Sequence, residues 1–155
     1  MKKVLIAEDE DVLLNVLKDR FEQAGWDADG VSDGRSAVVK LNKAGQDGYD
    51  LLILDLLMPK MSGFQVLKEI KKNGELIDLP IIVLSNLGGD DDIKKAMELG
   101  ADDYYVKSQH PMSEIIEKAD KFAGGGHTLS KRKIIKENNN EEQGIKDKNE
   151  KTKKK

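Results

Sequence analysis

Short, wholly apolar runs recur along this chain between stretches of helical periodicity, and that alternation narrows the possible folds more than any other feature. Val4-Leu5-Ile6-Ala7, Leu51-Leu52-Ile53-Leu54 and Ile81-Ile82-Val83-Leu84 are three such runs, and Tyr104-Tyr105-Val106 is a fourth. Runs of this length, apolar on both faces, read as parallel strands buried between two layers of helix. The segment Trp26-Asp27-Ala28-Asp29-Gly30-Val31 alternates with polar residues instead, which suits an edge strand.

The intervening segments predict five helices. The first follows Glu10-Asp11, with Val12, Val16, Leu17, Phe21 and Ala24 facing inward and Gly25 as its stop. A second runs from Asp33 to about Ala44 and buries Ala37, Val38 and Leu41. The third opens on a capping box, Ser62-Gly63-Phe64-Gln65, carries Val66, Leu67 and Ile70, and ends at Gly74. A fourth lies near 90–99, where Asp90, Asp91 and Asp92 suit a helix N-terminus and Ile93, Ala96 and Met97 face inward. The last starts at Pro111 and buries Ile115, Ala119 and Phe122. Five βα units with right-handed crossovers make a three-layer α/β sandwich with every strand's C-terminal end on one edge.

At 155 residues the chain is long enough for one sizeable core. It has no cysteine, which removes disulfides and thiolate metal sites and fits a reducing cytoplasm. No apolar run approaches the roughly 20 residues of a membrane helix. The charge is uneven: residues 1–123 hold 16 basic and 24 acidic side chains, whereas 124–155 hold 10 basic and 5 acidic. Gly124-Gly125-Gly126 marks the change, and the few large apolar residues beyond it predict a basic, low-complexity, disordered tail over 124–155 after a globular domain over 1–123.

The ends of the apolar runs carry the chemistry. The first ends in Glu8-Asp9, the second in Asp55, the third in Ser85 and the fourth in Lys107. In an open α/β sheet the C-terminal strand edge is where ligands bind. Three carboxylates gathered there repel one another unless a cation intervenes, and oxygen-only ligands point to Mg²⁺ or a similar hard ion. A carboxylate beside such an ion can attack phosphorus, with a lysine balancing charge on the phosphoryl oxygens and a serine hydroxyl donating to them. Taken alone, Glu8-Asp9 is more simply a helix cap, Lys107 a solvated charge and Tyr104 a core aromatic; the coincidence of positions gives the functional reading its weight. His110 and His127 lack any partner pattern for catalysis or metal binding.

In Ile6-Ala7-Glu8-Asp9-Glu10, Asp55-Leu56-Leu57-Met58-Pro59-Lys60-Met61-Ser62-Gly63, Leu84-Ser85-Asn86 and Gly100-Ala101-Asp102-Asp103-Tyr104-Tyr105-Val106-Lys107, the chain resembles the receiver domains of bacterial two-component response regulators. The resemblance spans roughly 1–123 and is closest in kind to stand-alone, chemotaxis-type receivers. It implies a flavodoxin-like, doubly wound (βα)5 fold with strand order 2-1-3-4-5. It also implies that Asp55 is the phosphoacceptor, Asp9 a direct Mg²⁺ ligand, Glu8 a ligand through water, and Leu57 a ligand through its backbone carbonyl. Ser85 and Tyr104 would be the switch pair and Lys107 the phosphate contact. The partners implied are a histidine kinase or phosphotransfer protein and a downstream protein target, with the 90–107 region as a possible dimer face.

No DNA-binding domain is legible after the receiver segment, so the expected output is phosphorylation-switched protein–protein contact rather than conventional enzyme activity. Ser108 stands where relatives usually carry proline, and Asn86 where they carry a smaller residue. Leu57 and Leu87 are apolar where many relatives are polar, which predicts slow hydrolysis of the phosphoryl group. Two other readings stay open at this point. One is a receiver-like module that binds a partner without phosphorylation, and the other a magnesium-dependent phosphohydrolase. The hydrolase would commonly carry a second acid two residues after the nucleophile, where this chain has Leu57.

Overall fold

A computed structural model of the chain describes residues 1–123. The segment 124–155, with its expected disorder and the expected boundary, lies outside the described residues. The elements run β1 (Lys3–Ala7), α1 (Asp11–Gln23), β2 (Asp27–Val31), α2 (Gly34–Ala44), β3 (Leu51–Leu54), α3 (Gly63–Lys72), β4 (Ile81–Ser85), α4 (Asp90–Glu98), β5 (Asp103–Val106) and α5 (Met112–Ala123). All strand pairs are parallel, in the order β2-β1-β3-β4-β5. This is the flavodoxin-like arrangement expected from the sequence. The two strands predicted to be most apolar, β3 and β4, are buried along their whole length, and the polar β2 lies on an edge.

Side-chain alternation divides the core into two layers. Leu5, Ala7, Leu52, Leu54 and Val83 face α2, α3 and α4, meeting Ala37, Leu41, Val66, Leu67 and Ala96. Val4, Ile6, Leu51, Ile53, Ile82 and Leu84 face the other way, onto Leu17, Phe21, Ile115 and Ala119 of α1 and α5. No helix of the described residues is long and apolar enough to cross a membrane, and the Lys107–Ser108 bond is trans like every other described peptide.

Three helix details differ from the sequence expectation. Val12 is 80% exposed and Val16 and Ala24 also face outward, while Leu13, Leu14, Leu17 and Phe21 form the inner stripe of α1. Those four fall within an arc of about 100° at the helical repeat, and Val12 and Val16 lie outside it. Met97 is 41% exposed, because Ala96 takes the inward position of α4. Helix α3 stops at Lys72, since Asn73 already has an extended backbone (φ −96°, ψ 108°) before Gly74 is reached. The predicted capping box of α3 is present in both directions, Gln65 N–H to Ser62 Oγ and Ser62 N–H to Gln65 Oε1.

At the start of α2, the buried Asp33 accepts from the Ser36 N–H (2.7 Å) and from the Ser36 hydroxyl (2.9 Å). The backbone hydrogen bond from Ser36 holds its carboxyl below the usual range, against burial, with Lys60 assisting from 3.8 Å. A depressed pKa means stability that is fully present above the unfolded value, about 3.9, and is lost as pH falls through the folded one. Asp33→Ala is therefore expected to cost about 1–2 kcal/mol in urea denaturation at neutral pH. The deficit should shrink as the pH is lowered below about 4; a deficit that stays constant into acid contradicts the charged cap.

Candidate functional site

The strand register brings five sequence-predicted residues to one edge. Ala7 pairs with Leu54, Leu54 with Val83, and Ser85 with Val106, so the residues that follow or end these strands share a rim. Glu8 and Asp55 are 2% and 3% exposed, Ser85 is fully buried, and Asp9 is open to solvent. Lys107 reaches across from the end of β5. Its Nζ donates to Asp55 Oδ2 at 2.9 Å and lies 2.9–3.0 Å from both carboxylate oxygens of Glu8.

The electrostatics follow from burial. Desolvation pushes the Glu8 carboxyl up to about 7, opposed by its hydrogen bond from Lys107 and reinforced by the charge of Asp55. Burial works to lower the Lys107 pKa, but the hydrogen bonds to Asp55 and Glu8 outweigh it and raise the value above that of a free lysine. Backbone donors fix both carboxylates, Glu10 N–H to Glu8 Oε1 (3.1 Å) and Leu57 N–H to Asp55 Oδ1 (3.2 Å). Lys107 offsets one carboxylate charge and leaves the rim with an excess of negative charge, which a divalent cation would balance.

Glu8, Asp9 and Asp55 each place one carboxylate oxygen within 4.8 Å of the others. Oxygens gathered this closely could share one hard divalent ion, and the all-oxygen donor set suits Mg²⁺. The residues present therefore fit the metal site expected from sequence.

Ser85 and Tyr104 both reach the loop after β4. The Leu87 N–H donates to Ser85 Oγ at 3.4 Å, and the Tyr104 hydroxyl donates to the Leu87 carbonyl. Burial, then the charge of Asp92, raises the Tyr104 pKa, which keeps the phenol a hydrogen-bond donor. Leu87 is thus a junction that sequence reasoning noted only for its apolar side chain. Its backbone role carries no sequence signal.

Gly63 was also missed as a site residue, although it stands in the Ser62-Gly63 helix start. Its N–H donates to the Leu56 carbonyl at 3.0 Å. A Cβ there would stand 2.3 Å from the Asp55 carbonyl oxygen and 2.7 Å from Leu56 Cα. Both are main-chain atoms, so the N-terminus of α3 can press against the Asp55 turn only through glycine.

A family model of the response regulator receiver domain matches residues 4–120. The chain is 37% identical over 127 residues to a probable transcriptional regulator of Galdieria sulphuraria, an alignment covering 78% of this chain and 48% of the relative. Among solved structures it resembles the receiver domain of Francisella response regulator 1452, with TM-score 0.72, 29% identity, and 80% and 98% of the two chains covered. It also resembles a phosphorylated cyanobacterial phytochrome response regulator, with TM-score 0.68, 28% identity, and 83% and 96% covered. The chain spans about half the length of the curated relatives it matches.

The chain belongs to the response regulator receiver domain family, the phosphoacceptor modules of two-component signalling. Receiver domains are signalling modules rather than conventional enzymes.

Gly63→Ala is expected to destabilise the protein by roughly 1–3 kcal/mol, the usual cost of overpacking where the backbone must shift. Amide shifts at Asp55 and Leu56 should move with it. Unchanged stability and unchanged amides would show that this approach is not a constraint.

Proposed function

We propose that Asp55 accepts a phosphoryl group from the phosphohistidine of a histidine kinase or phosphotransfer protein, or from a small phosphodonor. The observation that carries the reading is Lys107 Nζ at 2.9 Å from Asp55 Oδ2, with the Glu8 and Asp9 carboxylates beside it. Asp55 Oδ attacks phosphorus as the bond to the donor nitrogen or oxygen breaks, and the leaving group departs with the electron pair. Lys107 then follows the charge from the carboxylate onto the phosphoryl oxygens, a shift its long stem allows. Asp9, Asp55 and the Leu57 carbonyl would hold Mg²⁺, with Glu8 acting through water; the ion supplies charge neutralisation at the transferring group.

The output follows from Leu87. A phosphoryl group on Asp55 offers Ser85 Oγ a stronger acceptor than any it now has, and Leu87 N–H loses its partner as Ser85 turns. Tyr104 is bonded to the same residue, so the 85–90 loop, α4 and β5 rearrange together and present a changed 90–107 face to a protein target or a second copy. Retention of all five site residues favours this reading over a module that binds without phosphorylation.

Incubation with acetyl phosphate and Mg²⁺ should add one phosphoryl mass to the intact protein, and Asp55→Asn should add none. A protein that gains no mass from this donor or from any kinase would be a phosphorylation-independent binding module.

The adduct should also be long-lived. Leu57 is 52% exposed and follows Asp55 by two residues, where an apolar side chain excludes attacking water. Leu57→Asn is expected to hasten loss of the phosphoryl group on the order of tenfold, equivalent to about 1.4 kcal/mol of barrier. Loss from the unmodified protein within seconds contradicts the shielding.

A further inference from the structure

On the sheet edge opposite Asp55, a cleft of about 310 Å³ opens between the α2–β3 loop, the α3–β4 loop and the end of α5. Leu41, Leu76, Leu79 and Phe122 supply its apolar lining. Asp47, Asp50, Glu75 and Asp78 line it as well and make it acidic. Asp47, Asp50 and Glu75 form no ion pair among the described residues. Helix α2 ends at this cleft, so the negative end of its dipole adds to the carboxylates.

Ala123, the last described residue, also lines the cleft. The next thirteen residues, 124–136, carry Lys131, Arg132, Lys133 and Lys136 and no acidic side chain. The same stretch holds Leu129, Ile134 and Ile135, most of the large apolar residues beyond Phe122. The four cations are opposite in charge to the carboxylates of Asp47, Asp50 and Glu75 that line the cleft. Leu129 follows Ala123 by six residues, a reach of up to about 20 Å, so the segment starts within range of every wall.

We propose that residues 127–136 dock in this cleft of their own chain. Their lysines and arginine face Asp47, Asp50 and Glu75. The high local concentration of a tethered segment favours this occupant over any free partner of similar chemistry. Docked there, the basic segment lies at the sheet edge away from Asp55 and leaves the phosphoacceptor rim open.

The chain has no cysteine, so a nitroxide on Ser130→Cys in the full-length protein reports one position. Most amide peak intensity should be lost at residues 45–50 and 75–80, with the amides around Asp55 unaffected. The effect should weaken in 1 M salt, where the Debye length falls to about 3 Å. It should disappear when Asp47→Lys and Glu75→Lys are combined, the remaining spectrum showing whether that variant is folded. Broadening spread evenly over the surface, or retained in the charge-reversed protein, overturns the proposal. Equal broadening of unlabelled chains mixed with labelled ones also overturns it, because the occupant is then a second copy.

Discussion

The contact of Lys107 with Glu8 and Asp55 holds the functional edge together. Two carboxylates almost removed from water, with a third beside them, would repel one another in a low-dielectric setting, and the ammonium at 2.9 Å from both buried acids is what permits the arrangement. Taking away one partner of such a buried pair typically costs about 3–5 kcal/mol, because the remaining charge is left uncompensated. The balance is still incomplete. Three carboxylates around one ammonium leave the rim electronegative, which suits a hard divalent cation.

That contact depends on the sheet. Parallel pairing with Ala7 opposite Leu54 and Ser85 opposite Val106 sets the ends of β1, β3, β4 and β5 level, so residues far apart in sequence meet without any local motif joining them. A one-residue slip in any strand would turn its outgoing acid or lysine to the wrong face. Gly63 then sets how closely α3 approaches the Asp55 turn, and Leu87 links Ser85 to Tyr104. The site is therefore a product of register and close packing as much as of residue type.

Much of this was legible in the sequence. The fully apolar runs leave few alternatives to buried parallel strands, and the residues ending them name Glu8, Asp9, Asp55, Ser85 and Lys107 directly. Helix rotation was harder to read: α1 carries apolar residues at 12, 13, 14, 16, 17 and 21, more than one stripe can bury. The choice falls to tertiary packing, in which Phe21 meets Trp26 edge-on with ring centroids 5.5 Å apart. The Leu87 junction and the acidic cleft were not legible, because both are made by loop backbone without periodicity.

If residues from four strand ends act as one cation-dependent phosphoacceptor site, they should respond to Mg²⁺ as a unit. A magnesium titration of the full chain, followed by amide chemical shifts, tests it most directly. Amides at residues 8–10, 55–58 and 107 should shift together along one binding curve, and Asp9→Asn should abolish the response. Shifts that follow separate curves, or none at these positions, would contradict it.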